Sequence, residues 1–374
     1  SLKLTRYPKP TKSVGRVHMS MEFVGRIGTH GKVLAWFAKD LRRHRLPYVV
    51  LFGFVLAVLF LATLRGDSLI LYVAEYSTRI IRAVALVVCA MVVLACVTGL
   101  VRARHGGSPI SIAIASLRGV FLTSMSARFL YGCVMFAFFM GAFLYCKMMI
   151  PLIQPFSWDA TFADWDRALL FGIDPWRLLH PAFGTPWMTF LLDVLYSSWV
   201  PAVFIFWAGL LASPRVSTDL RSRYWLATMV SWVVIGIVMA TAFSSAGPCY
   251  FVDVAPTIPS PYTELVAYIK EVDRVHYMSS TATKAFLWDV YTGKADLPGG
   301  ISAMPSMHNA QAALFVTAAY SINRRFGHFM LAYAVLIFIA SIHLGWHYAV
   351  DGIVGVAAAL VIWVFCGALL RRDH

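Results

Sequence analysis

Charge is what this chain has least of. Only 13% of its 374 residues are Asp, Glu, Lys or Arg, about half the share of a soluble domain, which excludes an ordinary water-soluble globule. Acids are scarcest: 18 stand against 32 Lys and Arg, for a net charge of +14. The six cysteines, Cys89, Cys96, Cys133, Cys146, Cys249 and Cys366, show no metal-cluster spacing. Five fall in apolar segments, where cysteine packs as a small hydrophobe. Cys249 alone in a loop implies no disulfide framework. Internal repeats and low-complexity stretches are also missing.

What the chain has is apolar length. Hydrophobic residues make up 59% of it, with a mean hydropathy of +0.70. Runs of about 20 residues, the length that crosses a bilayer as helix, fall at 46–64, 81–101, 128–150, 187–212, 224–243, 308–322, 328–346 and 347–370. The sixth is short and begins with polar residues. Lipid leaves no backbone group to be satisfied by water, so such runs are helices. The expectation is an all-α polytopic membrane protein of about eight transmembrane helices. It divides into a basic segment (1–46), an N-terminal hairpin with its following loop (47–127), and a six-helix core (128–374).

The positive charge is placed, not spread. Residues 1–46 hold eleven Lys or Arg against Glu22 and Asp40. A basic flank beside a membrane helix reflects topology and anionic lipid, so no nucleic-acid partner is expected. The segment is too long and basic for a secretory signal peptide, and 31–45 reads as an amphipathic helix at the interface. With this end inside, Arg102, Arg104, Arg118, Arg215, Arg221, Arg223, Arg324, Arg325, Arg371 and Arg372 also fall inside. The exception is a mildly basic outer loop around Arg65, Arg79 and Arg82. Both termini are then cytoplasmic, and the compact loops favour a bacterial inner membrane. The outer segments 151–186 and 244–307, the first with an interfacial helix at 163–171, read as ordered lids.

Two polar motifs interrupt the apolar pattern near the outer surface: Met304-Pro305-Ser306-Met307-His308, and His343-Leu-Gly-Trp-His347-Tyr-Ala-Val-Asp351. Read as one helix, the second puts His347 and Asp351 one turn apart on a common face. A carboxylate holding one imidazole N–H leaves the other nitrogen's lone pair free, which prepares a nucleophile or base, and His308 supplies the complementary acid. His343 extends this face into a stripe that can also be read as a zinc site with His308. The Pro-Ser-x-His context favours acid–base work, and no metal or cofactor is expected. Asp193, a carboxylate inside an apolar run, is costly in a membrane and a candidate contact for a polar headgroup.

Pro305-Ser306-Met307-His308 followed by His347-x-x-x-Asp351 resembles the second and third signatures of the type 2 phosphatidic acid phosphatase superfamily. The Asp166-x-x-Leu169-x-Phe171-Gly172-x-Asp174-Pro175 stretch and the Ala246-Gly247-Pro248 turn resemble more closely its inositolphosphotransferase branch, which includes fungal inositol phosphorylceramide synthase. The resemblance covers roughly residues 128–370. It implies a phosphohistidine on His347, oriented by Asp351, with His308 protonating the leaving oxygen. Ser306 and the amides that start the sixth run are placed to cradle phosphate oxygens at a helix N-terminus. The substrate would be a phospholipid or lipid phosphate, and the acceptor an alcohol or lipid. A lipid phosphate phosphatase using water is the alternative, and a transporter the reading from another class. The chain departs from the superfamily in lacking a Lys-x6-Arg-Pro signature and in having Ala340-Ser341 where Ser-Arg is usual. Lys147, Arg167 and Arg177 are the candidate replacement cations.

Overall fold

The computed structural model describes residues 40–103, 108–112, 114–115, 124–213 and 216–372. Residues 31–39 of the amphipathic stretch expected at 31–45 lie outside them, as do Arg104, Arg118 and Arg215. Every regular element among the described residues is helical. Six helical stretches are long and apolar enough to cross a membrane: Arg45–Arg65 (α1), Phe129–Ile153 within α3 (Ser124–Ile153), Pro186–Ala212, Thr218–Ala242, Arg324–His343 (α13) and Ala349–Arg372 (α14).

Two of the eight expected spans do not meet that measure. The second is a long helix, Leu69–Ala103 (α2), whose first half carries Glu75, Arg79 and Arg82. Arg79 and Arg82 are therefore helical, not part of an outer loop. The sixth, Met307–Ile322 (α12), has 16 residues and a length of about 24 Å, short of the roughly 30 Å hydrocarbon layer.

The span Pro186–Ala212 is broken into α6 (Pro186–Ser197) and α7 (Trp199–Ala212). Pro201 has no N–H to give and its ring clashes with the carbonyl four residues back, at Ser197, where the break falls. The next span begins as α8 (Thr218–Val233), capped by Ser217, and passes through a π-helical segment at Val234–Met239. Arg221 in α8 is no free inside charge. It is buried, with its guanidinium on the carbonyls of Leu210 and Ser213 at the end of α7 and of Val216 just before α8.

Between lipid-facing helices there is no hydrophobic drive, so close packing and internal polar bonds hold the bundle. α12 packs against α7, α8, α13 and α14 and buries Asn309, Gln311, Leu314 and Phe315. Phe315 stacks on Phe206 at 4.3 Å, and Trp207 Nε1 donates to the Gly132 carbonyl at 3.1 Å. The segments 151–186 and 244–307 contain further helices. The first forms α4 (Asp159–Leu169, four residues earlier than expected at its start) and α5 (Pro175–Phe183). The second forms α9 (Phe251–Val254), α10 (Thr263–Val275) and α11 (Ser279–Tyr291).

Candidate active site

Three loops meet at one end of the core, and backbone bonds interlace them. Ala303 N donates to Ser245 O at 3.0 Å, Cys249 N to Gly345 O at 2.9 Å, and Ser306 N to Asp351 O at 3.0 Å. Gly247 sits at φ 101, and a Cβ there would lie 2.6 Å from the Trp346 carbonyl. Only glycine accepts both that conformation and that approach.

Two carboxylates of α4 fasten this knot. Asp159 accepts from Ala246 N, Gly247 N and the Tyr348 hydroxyl at 2.8 to 2.9 Å. Asp166 accepts from Ala349 N and Val350 N, each at 2.8 Å. These are first-turn amides of α14, which have no partner within their own helix, and a carboxylate there also suits the helix dipole. Burial raises both carboxyls, Asp166 up to about 7, while the donated hydrogen bonds act in the opposite direction.

α13 ends at His343 and α14 begins at Ala349, so His347 lies in the loop between them and not on one helix with Asp351. The pair forms all the same. Asp351, in the first turn of α14, accepts from Tyr348 N at 3.0 Å and stands 3.3 Å from His347 Nδ1. His347 Nε2 is 3.4 Å from His308 Nδ1. His308 begins α12, with its ring against Trp199 at 4.0 Å and Tyr196 at 4.5 Å. With Nδ1–H of His347 held by Asp351, its Nε2 is the acceptor, and the contact puts the proton on His308 Nδ1. One imidazole presents a lone pair and its neighbour an N–H.

Both histidines line a cavity of about 420 Å³. Lys147 lines it too, with no hydrogen-bond or ion-pair partner among the described residues. Arg167 and Arg177 do not. Arg167 pairs with Asp164 at 2.6 Å, and Arg177 with Asp174 and Glu264. Ser306 is fully buried and serves as the N-cap of α12, accepting from Asn309 N and Nδ2, so its hydroxyl is not presented to the cavity. Asp193 accepts from Ser279 N and Ser280 N, the start of α11. It therefore holds the start of α11 and does not line the cavity.

His343 does not extend a stripe toward His347. It is buried against Thr189 Oγ1 at 2.9 Å, with His180 and Tyr268 beside it. Among the described residues no group of three His, Cys, Asp or Glu is placed to hold a metal.

Sequence reasoning missed Asp159, the cavity-lining Arg79, and four cavity-lining groups whose polar atoms are buried without a partner among the described residues, Tyr196 Oη, Trp232 Nε1, Ser280 Oγ and Trp346 Nε1. The spacing of Glu75 and Arg79, four apart, was the one local signal for Arg79. Nothing local marked Asp159, whose partners lie 87 to 189 residues away.

A family model described as PAP2 superfamily matches residues 160–365, more than half of the chain. No curated protein and no solved structure was found to match it.

Proposed function

Because this chain belongs to the PAP2 superfamily, a family of phosphatases and phosphotransferases, we propose that it is a membrane lipid phosphotransferase of the inositolphosphotransferase-like branch working through a phosphohistidine. The observation that carries this is the meeting of His308 with the Asp351-paired His347 at the wall of one cavity. Substrate parts the two rings. His347 Nε2 then attacks phosphorus, the bond to the leaving oxygen breaks, and His308, entering the step as imidazolium, gives that oxygen a proton and becomes neutral imidazole. In the second half His308 takes the proton of an acceptor hydroxyl as its oxygen attacks, and His347 leaves. Lys147 balances charge on the phosphoryl oxygens.

Transfer to an alcohol must outrun water at about 55 M, which needs a bound acceptor and a covered site. α11 supports the cover. Its Lys284 ammonium bonds the Leu344 carbonyl beside His347 and lies over the Trp346 ring. Ser280 Oγ and Trp346 Nε1, without a partner among the described residues, suit acceptor oxygens better than Asp193 or His343, which are engaged elsewhere.

Product analysis with purified protein, a labelled phospholipid and a panel of alcohols tests this. A labelled new lipid, formed faster as one alcohol is raised, is the expected result. Phosphate or phosphoalcohol release at one rate with every alcohol makes the protein a phosphatase.

The proposed topology has eight spans, counting α2 and α12, with both termini inside and the site facing the periplasm. A cysteine at exposed Thr292, at the end of α11, should react with an impermeant maleimide in intact cells. One at Ser217, before α8, should react only after permeabilisation. The reverse pattern inverts the orientation.

A further inference from the structure

The cavity is electrostatically one-sided. Its wall contains two cations, Arg79 and Lys147, and no Asp or Glu among the described residues. Both cations lie outside the matched residues 160–365, on helices that pack directly together. A Cβ at Gly141 of α3 would lie 2.7 Å from Val73 Cγ2 and 2.9 Å from Val73 N of α2, so this glycine is what lets the two backbones approach.

Arg79 Nε donates to Glu75 at 2.9 Å, and the guanidinium lies over the Tyr76 ring at 5.3 Å. Its terminal nitrogens have no hydrogen-bond partner among the described residues. An Arg–Glu pair at this spacing fixes the guanidinium's direction while leaving its forked donors for an anion. Such charges within a long helix beside lipid mark functional positions.

The cations are also ordered along the cavity. A Cβ at Gly236 would touch both Phe143, one turn before Lys147, and Met307, the neighbour of His308. Arg79 lies the other way along α3, because Val73 meets Gly141 and Tyr76 meets Phe136. Lys147 is thus the cation beside the reacting centre, and Arg79 stands beyond it. A substrate carrying only the reacting phosphoryl group would leave Arg79 unused.

We infer that Arg79, with Lys147 between it and the histidines, forms a second anion site that takes a phosphate or carboxylate of the substrate other than the reacting phosphoryl group. This rests on the reading of the histidine pair as the reacting centre. It makes the N-terminal helix α2 a specificity element: the acidic group next to the scissile phosphorus selects the substrate, and Arg79 reads it by bidentate hydrogen bonding.

Calorimetric titration of detergent-solubilised His347→Ala protein with inorganic phosphate and with pyrophosphate tests this without turnover. Pyrophosphate should bind at least about tenfold more tightly than phosphate, as one added charge-assisted pair allows. Adding Arg79→Gln should remove that preference while phosphate affinity stays within about twofold. Adding Lys147→Met should weaken both anions. Arg79→Lys, which keeps the charge but not the fork, should fall between the two.

Undiminished preference in Arg79→Gln overturns the inference. So does equal weakening of both anions by that variant, or absence of any preference in the parent. Because no reaction is read, failure of the phosphohistidine mechanism leaves this measurement intact, and failure of this measurement leaves that mechanism standing.

Discussion

Replacing His347 with alanine should lower turnover of a lipid phosphate by at least about 10³-fold, roughly 4 kcal/mol of barrier, and remove any acid-labile phospho-enzyme. Neither His308 nor His343 can substitute. His308 is assigned the acid role in the proposed mechanism, and His343 is buried against Thr189. His308→Ala should behave differently. A missing general acid costs roughly 10²–10⁴-fold when the leaving group is an alkoxide, but a nitrophenolate departs unprotonated. With p-nitrophenyl phosphate, His308→Ala should still label His347 at a rate within about tenfold of the parent for the first half-reaction. Rapid-quench labelling with both substrates checks this. A His347→Ala protein that folds and retains near-parental turnover removes the proposed mechanism.

The second large effect should come from a residue outside the cavity wall. Asp166→Ala leaves Ala349 N and Val350 N buried without acceptors, at about 1–3 kcal/mol each. It also frees the first turn of α14, which carries Asp351. Activity should fall by on the order of 10²-fold, and the unfolding midpoint in detergent should drop. Asp166→Asn, which keeps one acceptor oxygen, should recover part of both.

The same residue gives a pH signature. Its carboxyl rises from the ordinary 3.8 to about 7 in the folded protein, so between those values the folded state holds a proton that the unfolded chain has released. Stability from this group is therefore full below about pH 4 and lost as pH rises through 7. Asp166→Asn should remove that component of the midpoint's pH dependence. An unchanged slope in Asp166→Asn excludes Asp166 as its source.

How far the chain could be read without coordinates follows from the range of each interaction. Helix boundaries of the apolar runs were legible because lipid imposes one local solution. Arg45–Arg65 and Ala349–Arg372 fall within two residues of the expected 46–64 and 347–370. His347 and Asp351 were legible as a pair because four residues separate them, although the pairing arises from a loop and a helix start. α2 was misread at its beginning because Glu75, Arg79 and Arg82 make a helical segment look like a loop to hydropathy alone.

The sequence by itself determined an all-helical membrane chain and three polar residues, His308, His347 and Asp351, near helix ends at one surface, since period, length and spacing are local properties. Only the tertiary structure decided which carboxylates and cations serve them. Asp159 and Asp166 reach amides more than 80 residues away, and Lys147 and Arg79 share a cavity wall because Gly141 lets α2 lie against α3. Arg167 and Arg177, equally plausible by composition, are taken up by nearby acids instead. Long-range electrostatic partners depend on which helices touch, and helix contact is set by small side chains and close packing across the bundle, which no local pattern encodes.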